Sequence, residues 1–255
     1  MEKRQRAVEL DFLRGIAILS MLFIHFSWDV RYEFGKSAFA YLSGKAYIVF
    51  FHPIVLVLFI GVSGICCTFS RNNIRRGLKM LAVASAFTIG SYIVQEITGI
   101  ESLILFNVLH LITFGIFIYS LVLFIERRLS ISPELTNMLM GMSGICIMMI
   151  GRYIKLFDHC TDNMLFLPIG FSIQGMPTMA DYLPIFPWLG IFFVGAAIGR
   201  ASYSDKKSKL PDRPEAVRKI ASPIEFLGRH ALVIYIVHQP IIYGLLALIF
   251  KVTGN

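Results

Sequence analysis

Long apolar runs alternate along this chain with short polar segments rich in Lys and Arg. The runs occupy Phe12–Val30, Ala46–Phe69, Leu78–Ile97, Leu103–Ile125, Thr136–Ile154, Pro184–Arg200 and Leu227–Phe250. A helix needs about 20 mainly apolar residues to cross the hydrocarbon core of a bilayer, and inside a helix every backbone polar group is satisfied without water. The pattern therefore predicts an all-α, polytopic integral membrane protein of about seven transmembrane helices, a single domain over residues 1–255. The sixth run is short and carries Pro187, which predicts a tilted span or one paired with a re-entrant stretch before it. Between the spans, Lys155–Leu183 is the longest irregular stretch, marked by Pro168, Gly170, Gly175 and Pro177. Loops of that length usually carry function or pack back over the domain. The segment Ser202–Pro223, charged and broken by Pro211 and Pro214, reads as a solvated tether.

Charge gives the spans a direction. With the N-terminus in the cytoplasm, the inner segments hold Lys3, Arg4, Arg6, Arg14, Arg71, Arg75, Arg76, Lys79, Arg127, Arg128, Arg200, Lys206, Lys207, Lys209, Arg213, Arg218, Lys219 and Arg229. Only Arg31, Lys36, Lys45, Arg152, Lys155 and Lys251 then fall outside. By the positive-inside rule this bias predicts an inward N-terminus and an outward C-terminus. It also reinterprets the net charge of +8: the excess is a topology signal and an attraction to anionic inner-leaflet lipids, not a nucleic-acid surface. Composition agrees, with 56% hydrophobic and 16% charged residues and a mean hydropathy of +0.69. The first run has no small-residue cleavage site, so it reads as a retained span and not a signal peptide. Cys66, Cys67 and Cys146 fall within spans and Cys160 in an outer loop; they read as small apolar fillers and not as a disulfide framework.

Ionisable side chains inside spans cost roughly 2.5–3.5 kcal/mol each on insertion scales, so each one raises a functional hypothesis. In the first run Arg14, Ile18, Leu22, His25 and Asp29 follow helical spacing and share one stripe. Arg14 sits at the inner interface, and His25 lies about 16 Å further along the axis. Asp29 is one turn beyond, where a carboxylate can accept an imidazole N–H, fix the tautomer and leave the other nitrogen as a base. The same pair also suits a buried structural hydrogen bond. His238 with Gln239 before Pro240, His110 with Asn107, and His52 before Pro53 are further candidates that gain weight only if they converge. His159 and His230 lie in a loop and at an interface and receive no role. Arg71, Arg75, Arg76 and Lys79 fit either topology alone or a phosphate clamp. No nucleotide-binding glycine loop, serine-elbow motif or metal-spaced Cys/His cluster is present.

The run from Glu9 through Leu-Asp-Phe-Leu-Arg14-Gly-Ile-Ala-Ile-Leu to His25 resembles the opening of transmembrane acyltransferases, and Arg14 separated from His25 by ten residues resembles acyltransferase family 3. The continuation through Asp29 is more similar to the related family of the heparan-α-glucosaminide N-acetyltransferase catalytic domain. Phe106-Asn-Val-Leu-His110-Leu, Asp181-Tyr-Leu-Pro-Ile-Phe-Pro-Trp188-Leu-Gly190 and Leu227-Gly-Arg-His-Ala-Leu to His238-Gln-Pro240 resemble that family in the same order. The chain departs from those families in having fewer spans, which leaves the acceptor open.

The resemblance implies transfer of an acyl group, usually acetyl, from cytoplasmic acyl-CoA to an amino or hydroxyl group, typically of a sugar or glycan. Acyl-CoA is then a co-substrate, and no tightly bound cofactor or metal is expected. His25 becomes the catalytic histidine, Asp29 its orienting partner, and His110 or His238 a neutral donor to the oxyanion. Arg14, with Arg71, Arg75, Arg76 and Lys79, becomes the contact for CoA phosphates. Asp181, Trp188 and His52 become acceptor-side residues. An acyl-histidine intermediate is the alternative chemistry. The alternative function is a proton-coupled transporter using His25 and Asp29. A retinal protein is disfavoured, because the last span has no lysine before Lys251. Expected partners are acyl-CoA, a glycan acceptor and membrane lipids, without nucleic acid. Homo-oligomerisation stays open, and a prokaryotic plasma membrane is the expected location.

Overall fold

The computed structural model describes residues 7–99, 102–157, 160–175, 179 and 181–253. Lys3, Arg4 and Arg6 of the basic N-terminal segment, His159 and Pro177 lie outside the described residues. Among the described residues eight α-helices follow in order: α1 (Val8–Trp28), α2 (His52–Ile65), α3 (Asn73–Thr98), α4 (Val108–Arg128), α5 (Pro133–Phe157), α6 (Ile185–Ser202), α7 (Glu215–Arg229) and α8 (Ala231–Thr253). A π-helical turn, Asp29–Glu33, continues α1, and another, Tyr47–Phe51, leads into α2. Strand is confined, among the described residues, to the two-residue pieces β1 (Cys160–Thr161) and β2 (Ser172–Ile173), paired in parallel.

Seven helical stretches are long and apolar enough to cross a membrane: Val8–Glu33, Tyr47–Ile65, Asn73–Thr98, Val108–Arg128, Pro133–Phe157, Ile185–Ser202 and Ala231–Thr253. The predicted count and class therefore stand. Their outward faces carry large apolar side chains, among them Ile97, Met149 and Val252, as expected of helices solvated by lipid.

Several boundaries differ from the sequence reading. The seventh span begins at Ala231, not Leu227, because the helix ending at Arg229 is separated from α8 by a turn at His230. The end of the expected tether, from Glu215 onward, belongs to α7, an amphipathic helix with Val217, Ile220, Ile224 and Leu227 at helical spacing. Earlier in that segment the Ser208 hydroxyl and the Lys209 backbone N–H both donate to the Glu9 carboxylate. The stretch is thus tied to α1 and is not a free linker. The second span also ends earlier than expected, at Ile65, which leaves Cys66 and Cys67 just past it.

The chain divides into two compact units, one of Met1–Phe59 with Lys206–Asn255 and one of Ile60–Asp205. In the first, α1 packs on α7 and α8. The α1–α7 crossing is a backbone contact, in which a Cβ on Gly15 would collide with the Ile224 carbonyl and one on Gly228 with the Asp11 carbonyl. Small residues allow this approach, and in lipid it supplies the dispersion contact that hydrophobic burial cannot. Arg14 fastens the same crossing: Nη1 lies 3.1 Å from Asp11 Oδ1 and 3.3 Å from the Gly228 carbonyl oxygen. A cation there also complements the negative end of α7. Farther along α1, Ile24 joins Leu42, Tyr47 and Val55 in a buried cluster.

The second unit is organised around α6. A Cβ on Gly144 would lie 2.8 Å from the Gly190 carbonyl oxygen, so α5 and α6 also meet backbone to backbone. Arg200, near the end of α6, pairs with Glu126 of α4 at 2.6 Å.

Gly228→Ala should lower the thermal unfolding midpoint of the purified protein in detergent, since overpacking costs roughly 1–3 kcal/mol. Gly244→Ala on α8, where a Cβ meets nothing within 4 Å, should leave the midpoint unchanged or raise it. Equal effects of the two substitutions would remove the close α1–α7 contact as a source of stability.

Candidate active site

Polar side chains of α1 and α8 meet where α1 ends. The backbone N–H of Asp29 still bonds to the His25 carbonyl, so the one-turn relation between the two side chains survives the change to π-helix. His25 is half-buried and Asp29 is only 1% exposed. From α8, the His238 ring meets the His25 ring edge-on, with centroids 4.8 Å apart and planes at 75°.

Two contacts fix the chemistry of the α8 side. His238 Nδ1 lies 2.7 Å from the Tyr235 carbonyl oxygen. A carbonyl only accepts, so Nδ1 carries the hydrogen, and the basic nitrogen of the neutral ring is Nε2. Gln239 Nε2 donates to both oxygens of Asp29, at 2.9 Å and 3.0 Å. Only the amide nitrogen can donate to a carboxylate, which settles the orientation of the Gln239 side chain. Pro240 follows within α8 and lacks an N–H, so the Ile236 carbonyl loses its usual helical donor.

Of the residues expected from sequence, His25, Asp29 and His238 thus come together. Gln239 had been noticed only as the neighbour of His238. Its signal was a second polar residue in an apolar run, but its partner is 210 positions away, a separation that no local pattern encodes. His52 opens α2 in the same unit, its ring centroid 5.8 Å from Tyr47. Tyr47 packs in turn on Tyr41, whose hydroxyl donates to Ser27 on α1 at 2.9 Å. Arg14 has the structural contacts described above and keeps 29% of its side chain exposed.

The other expected residues belong to the second unit. Asn107 caps α4 by accepting from the N–H groups of Leu109 and His110, and His110 completes a capping box with Asn107. Its Nε2 lies 3.3 Å from the Thr88 hydroxyl of α3. These contacts give His110 a helix-capping role. At the start of α3, Asn72 caps the helix through the Arg75 N–H. Arg71, Arg75 and Lys79 are exposed, while Arg76 is part-buried and turns its guanidinium to the Cys67 sulfur and the Ser63 carbonyl. Asp181 is exposed with a left-handed φ of 56°, and Trp188 is half-buried in the first turn of α6. Beside Asp181, the Tyr182 hydroxyl donates to the Leu167 carbonyl, and burial pushes its pKa up to about 12.

The family model described as heparan-alpha-glucosaminide N-acetyltransferase, catalytic, matches residues 6–240 of the chain. No curated protein matches it, and no solved structure does.

Thiol chemistry is not built into Cys67. Burial pushes its pKa up to about 11, with the nearby Arg76 charge opposing only in part. None of the four cysteines is in a disulfide, and Cys160 is exposed in β1. Maleimide labelling of the folded protein should therefore modify Cys160 and spare Cys67. Because the Cys67 thiolate gains population only as pH nears 11, raising pH from 7 to 9 should not bring it into reaction. Mass mapping of labelled peptides reads this directly, and Cys67 labelling that keeps pace with Cys160 would contradict it.

Proposed function

The chain belongs to the heparan-alpha-glucosaminide N-acetyltransferase catalytic-domain family, and from that premise we propose an acyl-CoA-dependent membrane acyltransferase with His25 as its base. The acceptor in this reading is an amino or hydroxyl group of a sugar or glycan. What supports it most is one observation: His25 stands edge-on to His238 at 4.8 Å, one helical turn from a buried, hydrogen-bonded carboxylate. A half-buried imidazole so placed has the equipment of a general base.

The chemistry follows from the groups. The acceptor lone pair attacks the thioester carbonyl carbon while His25 takes the N–H or O–H proton. Collapse of the tetrahedral species breaks the C–S bond and forms the amide or ester. The imidazolium then returns its proton to the departing CoA thiolate. Asp29 orients the ring and offsets the charge that His25 gains. The neutral-donor role considered for His238 does not suit its tautomer, since its Nδ1–H is directed at Tyr235. His238 would donate to an oxyanion from Nε2 only after protonation.

Donor binding forms part of the same proposal. In this reading the N-terminus is inside, as the basic bias of the loops supports, and acyl-CoA enters from the cytoplasm. On the second unit, Arg71, Arg75 and Lys79 are exposed cations that fit phosphate groups. Arg14 and Arg76 already have protein partners, so a role for either in donor binding adds to a structural one. Asp181, Trp188 and His52 remain proposed acceptor-side residues.

Purified protein supplied with acetyl-CoA and an amino sugar should release free CoA and form the acetylated sugar. His25→Ala should lower kcat by about 10²- to 10⁴-fold, the usual contribution of a positioned acid–base group, with acetyl-CoA binding retained. Normal turnover by the variant would remove His25 from the chemistry. Native protein that binds no acyl-CoA would favour the transporter reading.

A further inference from the structure

Gln239 is not explained by helix stability. An amide inside an apolar helix has to be desolvated, and such residues persist where their hydrogen bonds serve a purpose. Its Nε2 is committed to both Asp29 oxygens. Its Oε1 is buried and has no hydrogen-bond partner among the described residues. Half of the amide is therefore satisfied and half is not, and an unsatisfied buried acceptor is a cost that fold stability alone does not repay. An apolar side chain of similar length would avoid that cost but leave the Asp29 carboxylate without its α8 donor.

The geometry also constrains what the contact does. A carboxylate attached through one methylene can rotate about two side-chain bonds, and a single hydrogen bond leaves much of that freedom. One nitrogen placed almost equally from both oxygens lies in the plane that bisects them, and it holds the direction in which the carboxylate faces. Asp29 sits at the junction of α1 and the π-helical turn, one turn from His25. Whatever Asp29 does for His25 thus depends on where α8 holds Gln239.

We propose that Gln239 is a positioning residue of the active site, acting on His25 only through the Asp29 carboxylate that it clamps. This deepens the acyltransferase reading and rests on it. Gln239 touches no reacting atom in this account. Its loss should therefore lower kcat and leave the KM for either substrate nearly unchanged.

The test is a double-mutant cycle on purified protein, with acetyl-CoA and the best amino sugar acceptor. Gln239→Met keeps the length of the side chain and removes the amide. It should reduce kcat by about 10- to 100-fold, with each KM within about threefold of native and the unfolding midpoint preserved. In an Asp29→Asn background, the same Gln239→Met substitution should have little further effect, because the clamp then has no carboxylate to hold. A merely structural glutamine would lower activity by a similar factor in both backgrounds.

The proposal is overturned if Gln239→Met turns over like the native protein, or if its effect and that of Asp29→Asn multiply in full. Should Gln239→Met not fold, Gln239→Asn, which keeps the amide but withdraws it by one methylene, carries the same cycle with the same expected non-additivity. Native protein that releases no CoA under these conditions would instead overturn the acyltransferase reading, so the two failures are told apart.

Discussion

A carboxylate with 1% exposure on an apolar helix has to be hydrogen-bonded, and meeting that demand organises the first unit. An ionised group loses several kcal/mol of hydration when removed from water, and lipid offers no replacement. Asp29 recovers part of it from Gln239 on α8. That contact requires α1 and α8 to meet at one depth, which also brings His238 to the edge of His25. At the other end of α1 the Gly15–Gly228 approach and Arg14 lock α7 in place. The helix that carries the candidate base is therefore held at both ends, by backbone contact below and by charge-assisted hydrogen bonds above. A base fixed in this way needs little reorganisation when it reacts.

In the second unit, several of the polar side chains that stood out in the sequence are held at helix ends. His110 is occupied by its own helix terminus, where it closes a capping box with Asn107. Arg200 has Glu126, and Arg76 has the Ser63 carbonyl and the Cys67 sulfur. Each of these sits at or near a helix end, where unpaired backbone groups need partners in any case. Gln239 differs in lying well inside α8, away from either helix end.

Much of the fold was legible because the bilayer imposes one rule on every span: about 20 apolar residues without interruption. The seven runs followed from that rule, and so did the stripe from Arg14 to Asp29. α7 was hidden by its composition. Its apolar positions Val217, Ile220, Ile224 and Leu227 have helical spacing, but Pro211, Pro214 and Pro223 and the surrounding Lys and Arg residues suggested a linker. Its buried positions, Ala221, Glu225 and Gly228, carry no hydrophobic signal. At the site, His25 and Asp29 stood out because both are local to one helix. Their convergence with His238 and Gln239 depends on which helices pack together, and no periodicity within one segment reports that. The histidine motif of α4 shows the converse limit. His110 was noticed for the same reasons as His25, and only the structure shows that its ring serves a helix terminus.

Family and geometry carry different parts of the functional argument, and the extent of the family match shows how they connect. It spans residues 6–240 and so takes in all of α1 and α8 as far as Pro240. The part of α8 beyond it, from Ile241 onward, contributes none of the polar groups that meet at Asp29. The family tie supplies the class of reaction. The α1–α8 contact supplies the meeting of His25 and Asp29 with His238 and Gln239.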